Sequence, residues 1–458
     1  MSHEMGQGMN HEKGRDPGGR DNLHDLVVVG AGPAGLAAAV TAAGFGLRVA
    51  ILDTNARAGG QYYRHRAGRP PAWAPLARLH TVEHLAEHRV WAVERDDGHF
   101  TVHAVAGERD GVAVAVRGRR LLLATGAYDR QLPFPGWDLP GVFTAGGAQA
   151  LLKGNGVAPG RRAVVAGTGP FLLPVAVGLA DAGVRVLAVV EASRPTPRAA
   201  ALAPHSPARV VEAAGYAAAL ARRRIPYRTG RAVVAAHGDG GVLGSVTVAR
   251  LDADWRVRPG TGDELACDTL AVGYGFTPQL ELAGQLGCAS TPDGFVAVDS
   301  RQATDLPGLY AAGESTGIGG AQLSEVEGEL AAYAVAGRTP PKALLRRRAR
   351  LTRFAAGLRA LYPIRSGWPS WSDEDTPICR CEEVPRGRIA DAARQGADDV
   401  RSIKLLTRAG MGWCQGRMCA EATACVLSDV LGRPIAAPAP TRPIAVPIRL
   451  GDLAQGAS

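Results

Sequence analysis

The sequence predicts an α/β chain: two βαβ units built on one plan, followed by a small helical domain organised around four cysteines. Three observations carry that expectation. DLVVVGAGPAGLAAAVTAAGFGLRVAILD reads as strand, glycine-rich turn, helix and second strand. RAVVAGTGPFLLPVAVGLADAGVRVLAVVE repeats the design 137 residues later. A C-x-C pair and a C-x4-C pair then follow, 32 residues apart.

In the first unit Gly30, Gly32 and Gly35 form G-x-G-x-x-G, and Pro33 and Ala34 open the helix. Asp53 closes the second strand 18 residues after the last glycine. Gly30 suits the tight turn, Gly32 lets a pyrophosphate approach the backbone, and Gly35 lets helix and strand pack closely. The helix N-terminus offers free N–H groups and a positive dipole to phosphates, and Asp53 can accept hydrogen bonds from an adenosine ribose. Val27 to Leu47 is a run of 21 uncharged positions, but five glycines and Pro33 interrupt it. That is a buried βα unit, and neither a membrane span nor an export signal is expected; the expected location is cytoplasmic.

The second unit is Rossmann-like, with Gly167 and Gly169 matching Gly30 and Gly32. Leu172 stands where the third glycine would be, so helix and strand should approach less closely, and the acid Glu191 falls one residue late. Its nucleotide is left open: NAD, NADP (with Arg194 and Arg198 near the acid), another adenine nucleotide, or none.

The chain has 458 residues, 52 basic and 43 acidic, with 46% apolar and 21% charged, a globular composition. The net charge of +9 is local: from Glu329 to Asp373 there is no intervening acid but nine basic residues. Aromatic interleaving there is limited to Phe354, Tyr362, Trp368 and Trp371, which speaks against nucleic acid. The segment reads as a solvated Arg-rich helix linking two domains, with a docking surface as the alternative. His80, His84 and His88 recur at helical spacing and are expected to line a solvated helix. Residues 1–23, polar and glycine-rich, read as a disordered tail.

Cys379, Cys381, Cys414 and Cys419 offer four thiolates, which suit Zn²⁺ or a [2Fe–2S] cluster. C-x-C is a poor zinc knuckle, and no histidine follows His237, which excludes a Rieske centre. Gly410, Gly412 and Gly416 allow backbone N–H groups to turn toward sulfur. Zinc and an empty site remain the alternatives. Cys267, Cys288 and Cys425 read as ordinary core thiols.

The paired units resemble the two-dinucleotide-binding-domain flavoproteins, of the glutathione and thioredoxin reductase type, in which one Rossmann-like domain is nested inside another. Further segments carry the likeness: Gly59 to Arg64 (GGQYYR), the Ala124-Thr125-Gly126 turn, Gly275-Phe276-Thr277-Pro278, and the last motif with Gly313-Glu314. The resemblance implies FAD near Gly60, Gln61, Arg64, Thr125, Gly126, Gly313 and Glu314, with Glu314 in place of the usual Asp. The cysteine segment resembles the bacterioferritin-associated-ferredoxin-like (BFD-like) [2Fe–2S] domain, with C-x4-C where many members have C-x2-C. The implied organisation is an FAD domain at 24–157 and 268–336, an NAD(P)-binding-like domain at 158–267, a basic linker at 337–372, the BFD-like domain at 373–433 and a tail at 434–458.

The combination resembles the α (A) subunits of heteromeric flavin dehydrogenases, such as D-hydroxyproline dehydrogenase, opine oxidase and hydrogen cyanide synthase. This implies a hetero-oligomer whose β subunit is a flavoprotein of the D-amino-acid-oxidase type. That partner would oxidise an amino or imino acid while this chain relays electrons. Two other readings stay open: a stand-alone reductase passing hydride from NAD(P)H through FAD to the cluster, and a non-catalytic nucleotide-binding scaffold.

Overall fold

The computed structural model describes residues 23–96, 98–107, 111–194, 207–440 and 442–455. The expected tail, Leu23 apart, lies outside the described residues, as does Arg198.

A five-stranded parallel sheet runs in the order Leu309–Ala311, Leu121–Leu123, Leu26–Val29, Val49–Asp53, Glu83–Ala86. Its central strands are unbroken apolar runs because both faces are covered. On one face lie the helices Pro33–Gly44 and Ala321–Val335. On the other, Val27 and Val29 meet Phe100 and Val102 of a four-stranded sheet, mainly antiparallel. The last strand to join, Leu309–Ala311, arrives from beyond the second unit, so the second unit is nested in the first.

The second parallel sheet runs Val142–Thr144, Thr269–Gly273, Arg162–Gly167, Arg185–Glu191, Tyr227–Thr229. It reaches past the expected 158–267 on both sides. Parallel pairing recruits strands that are distant in sequence, so local pattern does not mark its edges. The chain passes between units through an antiparallel pair, Ala127–Asp129 with Phe276–Pro278.

Three expectations change. His80 sits in a short 3-10 turn, His84 in the strand Glu83–Ala86 and His88 in the strand His88–Asp96, so no helix joins the three histidines. Pairing of His84 opposite Ile51 overrides the local periodicity. The basic segment does form a helix, Lys342–Leu361, but it buries Leu344, Leu351 and Ala355 against Leu323, Val326 and Leu330. Beyond it Trp368 and Trp371 enter the core of the second unit, where the Trp371 indole donates to the Trp255 carbonyl at 2.6 Å. That core continues into the C-terminal domain through Ile378, Cys379 and Ile389. The tail also packs back, with Ala445 N–H bonded to the Trp91 carbonyl.

Candidate cofactor sites

The first glycine turn lies at the C-terminal ends of Leu26–Val29 and Leu121–Leu123. Gly30 has φ +104°, and a Cβ there would stand 2.3 Å from the Ala124 carbonyl oxygen; one on Gly35 would stand 1.8 Å from that of Gly30. Neither position admits a side chain, so strand, turn and helix close tightly. Beside Gly32 the nearest atom to such a Cβ is Gly60 Cα at 3.9 Å, leaving bare backbone where Pro33 begins the helix. Asp53 is 8% exposed and accepts from Ala31 N–H at 2.6 Å and from Asn55 N–H at 2.7 Å. Arg64 reaches the same corner through Asn55 Oδ1 at 2.9 Å. Burial lowers the His84 pKa, against the pull of the Asp53 charge.

The later motifs converge here. Thr125 Oγ1 donates to the Gln279 carbonyl at 2.8 Å, and Gln279 N–H to the Gly126 carbonyl at 3.0 Å. A Cβ on Gly313 would stand 2.9 Å from Ala34 Cβ, so the last motif abuts the start of the first helix. Glu314 accepts from Gly320 N–H at 2.7 Å, and burial raises its pKa. Gln61 is exposed on the loop. A bare-backbone turn at a helix N-terminus, bordered by a buried acid, fits a dinucleotide's pyrophosphate and ribose.

The second turn differs. Glu191 is 2% exposed and fully engaged: Gly169 N–H at 2.8 Å, Thr168 Oγ1 at 2.7 Å and Ser193 N–H at 2.8 Å. Burial raises its pKa. The helix starts only at Leu172, whose fully buried side chain fills the space toward Gly273. Tyr362, just past the basic helix, lies over the turn: its Cγ is 3.8 Å from where a Gly169 Cβ would be. Arg194 is turned away, donating to the Leu251 carbonyl at 3.0 Å.

In the C-terminal domain the strand Pro377–Cys379 and the loop before helix Ala420–Leu431 bring the four cysteines together. Gly410 N–H donates to Cys379 Sγ at 3.4 Å. Hydrogen bonding from Cys419 is the main cause lowering Cys379 to about 6 and Cys414 to about 5; Cys419 itself is pushed up. Cys381 bonds to Cys414 in turn, while burial raises its thiol. The four thiols thus form one connected chain, Cys379 to Cys419 to Cys414 to Cys381. Four gathered thiolates are the ligand set a [2Fe–2S] cluster takes. Burial raises Cys267, Cys288 and Cys425 to about 11, as befits core thiols.

The cysteine loop is fastened to the crossing strands. Arg417, between Cys414 and Cys419, pairs with Glu281 at 2.6 Å and donates to the Tyr128 hydroxyl at 3.0 Å. Tyr128 donates to Glu281 at 3.2 Å, and Arg130 pairs with Glu421 at 2.9 Å.

Residues 24–337 match the model of the pyridine nucleotide-disulphide oxidoreductases. The chain belongs to that family. Residues 377–429 match the BFD-like [2Fe–2S] binding domain. Within the oxidoreductase family, the HcnB component of hydrogen cyanide synthase from Pseudomonas aeruginosa is 36% identical over 420 residues, spanning 86% of this chain and 90% of that protein. An opine oxidase component from Agrobacterium tumefaciens, named as one of that enzyme's subunits, is 35% identical over 437 residues, spanning 87% and 84%. The L-proline dehydrogenase structure from P. horikoshii shares the fold, with TM-score 0.66 and 22% identity over 94% of this chain and 79% of that one. This oxidoreductase therefore carries FAD and a [2Fe–2S] cluster. Among its described residues no helix is long and apolar enough to cross a membrane.

Sequence reading missed Asn55, Tyr362, the Arg417–Glu281–Tyr128 group and Glu327, which accepts from Gly313 N–H at 3.0 Å. Tyr128 lies on the strand Ala127–Asp129 and Arg130 follows directly after it, and both reach the cysteine domain.

Proposed function

We propose that this chain is the electron-relaying subunit of a hetero-oligomeric dehydrogenase that oxidises an amino or imino acid, of the D-hydroxyproline or opine type. The partner in this reading is a β subunit of the D-amino-acid-oxidase type, which carries out the C–N oxidation. Gly30, Gly32, Pro33, Ala34, Gly35, Asp53, Gly60, Gln61, Arg64, Thr125, Gly126, Gly313 and Glu314 would hold FAD; Cys379, Cys381, Cys414 and Cys419 would ligate the cluster. When bound, flavin supplies the exchange between paired and single electrons, and the cluster carries single ones.

The observation that carries the reading is the attachment of the cysteine loop to the crossing strands. Arg417 ties the loop to Tyr128 and Glu281, and the same strands lead, through Gln279, to Thr125 and Gly126 beside the first glycine turn. A continuous set of hydrogen bonds and one ion pair thus connects the cysteine loop to the residues beside the first glycine turn, which supports this reading. The relatives named as subunits of hydrogen cyanide synthase and opine oxidase support a hetero-oligomer.

A free-standing NAD(P)H reductase needs an open second turn, and Tyr362 lies across it. The discriminating experiment is anaerobic flavin bleaching. The relay reading expects bleaching by an amino or imino acid only when the partner is present, and none by NADH or NADPH. Rapid bleaching of the isolated chain by NADH would replace it with the reductase reading; no redox change under any donor would favour the scaffold.

A further inference from the structure

A second concave site lies at the seam between the loop after Gly60 and the turn Leu151–Asn155. Its volume is about 430 Å³, within the ordinary range for small-molecule sites. Arg64, Arg66, Arg69 and Lys153 line it, and no acidic side chain does. None of these four cations pairs with a carboxylate among the described residues. Lys153 Nζ has only the Tyr62 carbonyl at 3.3 Å and the Tyr62 ring at 5.8 Å, and burial lowers its pKa. Arg64 spends one terminal nitrogen on Asn55, while its buried Nε–H has no acceptor among the described residues. Lys153 is set in a π-helical turn, a local departure from α-geometry that is common at functional sites.

Three of these cations, Arg66, Arg69 and Lys153, are not among the residues assigned to FAD; gathered without a counter-charge they repel one another, and an entering anion relieves that repulsion. The charge needed exceeds what one carboxylate brings, whereas a phosphate monoester carries about −1.5 to −2 at neutral pH and accepts forked arginine bonds. Tyr62, Pro71 and Leu152 supply apolar wall for an organic group. Gly30, Gly32 and Gly60 do not line the cavity, so it is not the dinucleotide turn. We infer that this cavity binds a small organic phosphate monoester, at a site separate from the FAD pyrophosphate. The inference stands on the cavity's own charge and does not depend on the relay reading.

Calorimetric titration of the FAD-loaded protein with phenyl phosphate, inorganic phosphate and benzoate tests it. Phenyl phosphate should bind at one site per chain, more tightly than inorganic phosphate and at least about tenfold more tightly than benzoate. Arg66 and Arg69 are exposed, so Arg66→Gln/Arg69→Gln should fold and retain FAD while weakening phenyl phosphate by about tenfold or more. Lys153→Gln should weaken it in the same sense. Benzoate binding as tightly as phenyl phosphate would overturn the inference, as would inorganic phosphate matching the ester or affinity unchanged in both variants. Release of FAD by phenyl phosphate would also overturn it, since the anion would then be competing for the dinucleotide's own phosphate site.

Discussion

Replacing Arg417 with alanine tests the junction between the two redox sites. Arg417 and Glu281 side chains are 15% and 17% exposed, so their pairing lies nearer the buried limit than the surface one. The variant also loses the bond to Tyr128 and a donation to the Cys414 carbonyl at 3.1 Å, and leaves the Glu281 carboxylate without its cation. Breaking a fully buried pair costs about 3–5 kcal/mol and an exposed one about 0–1, so about 3 kcal/mol is expected here. The domain itself should stay attached, because Trp371, Ile378 and Cys379 share the core of the second unit. The cost therefore falls on the loop. About 3 kcal/mol corresponds to roughly a hundredfold more frequent opening, readable by amide hydrogen exchange across residues 410–420. Stopped-flow spectroscopy should show slower flavin-to-cluster transfer, and Arg417→Lys should rescue it only in part, having lost the planar fork. Unchanged exchange in Arg417→Ala, or strictly additive effects of Arg417→Ala and Glu281→Gln, would refute this coupling.

Other outcomes follow from single contacts. Gly35→Ala places a methyl 1.8 Å from a backbone oxygen, so it should cost about 3 kcal/mol or more and abolish flavin retention, measured as bound FAD per chain and thermal midpoint. Tyr362→Ala should uncover the second turn and bind ADP-ribose more tightly than the natural chain does, measured by calorimetry; equal binding by both would show that Tyr362 does not close the site. Glu327, 7% exposed, is pushed up to about 7 by burial, from an ordinary 4.5. The folded state thus holds this proton more tightly than the unfolded chain does. Its contribution is full below about pH 4.5 and is lost as pH rises through about 7, up to about 3 kcal/mol in all. Relative to Glu327→Gln, the natural chain should lose stability across that interval in denaturant titrations; a pH-independent difference would contradict this.

Much of this architecture is legible in the sequence because the chemistry is local. The glycine turns, the acids that close each unit and the cysteine pairs are all defined over spans of a few tens of residues. What the sequence conceals is long-range. Arg417 meets Tyr128 across 289 positions, and Trp371 meets Trp255 across 116. Tyr362 covers Gly169 only because the basic helix packs on Ala321–Val335 and ends beside the second turn. The three histidines show the opposite failure. Their helical spacing is real, but pairing with Val49–Asp53 turns His84 onto a strand beside Asp53. The second sheet likewise takes Val142–Thr144 from before the expected boundary, since a parallel neighbour is chosen by the sheet rather than by adjacent sequence.

In the relay reading, the FAD and the cluster exchange electrons and should fill together. Anaerobic reductive titration of the purified protein, followed by absorption and EPR at once, tests this most directly. Flavin bleaching should be accompanied by a reduced [2Fe–2S] signal, with uptake of one electron beyond the flavin's pair. Zinc in place of iron, or a flavin that reduces while no cluster signal develops, would contradict it.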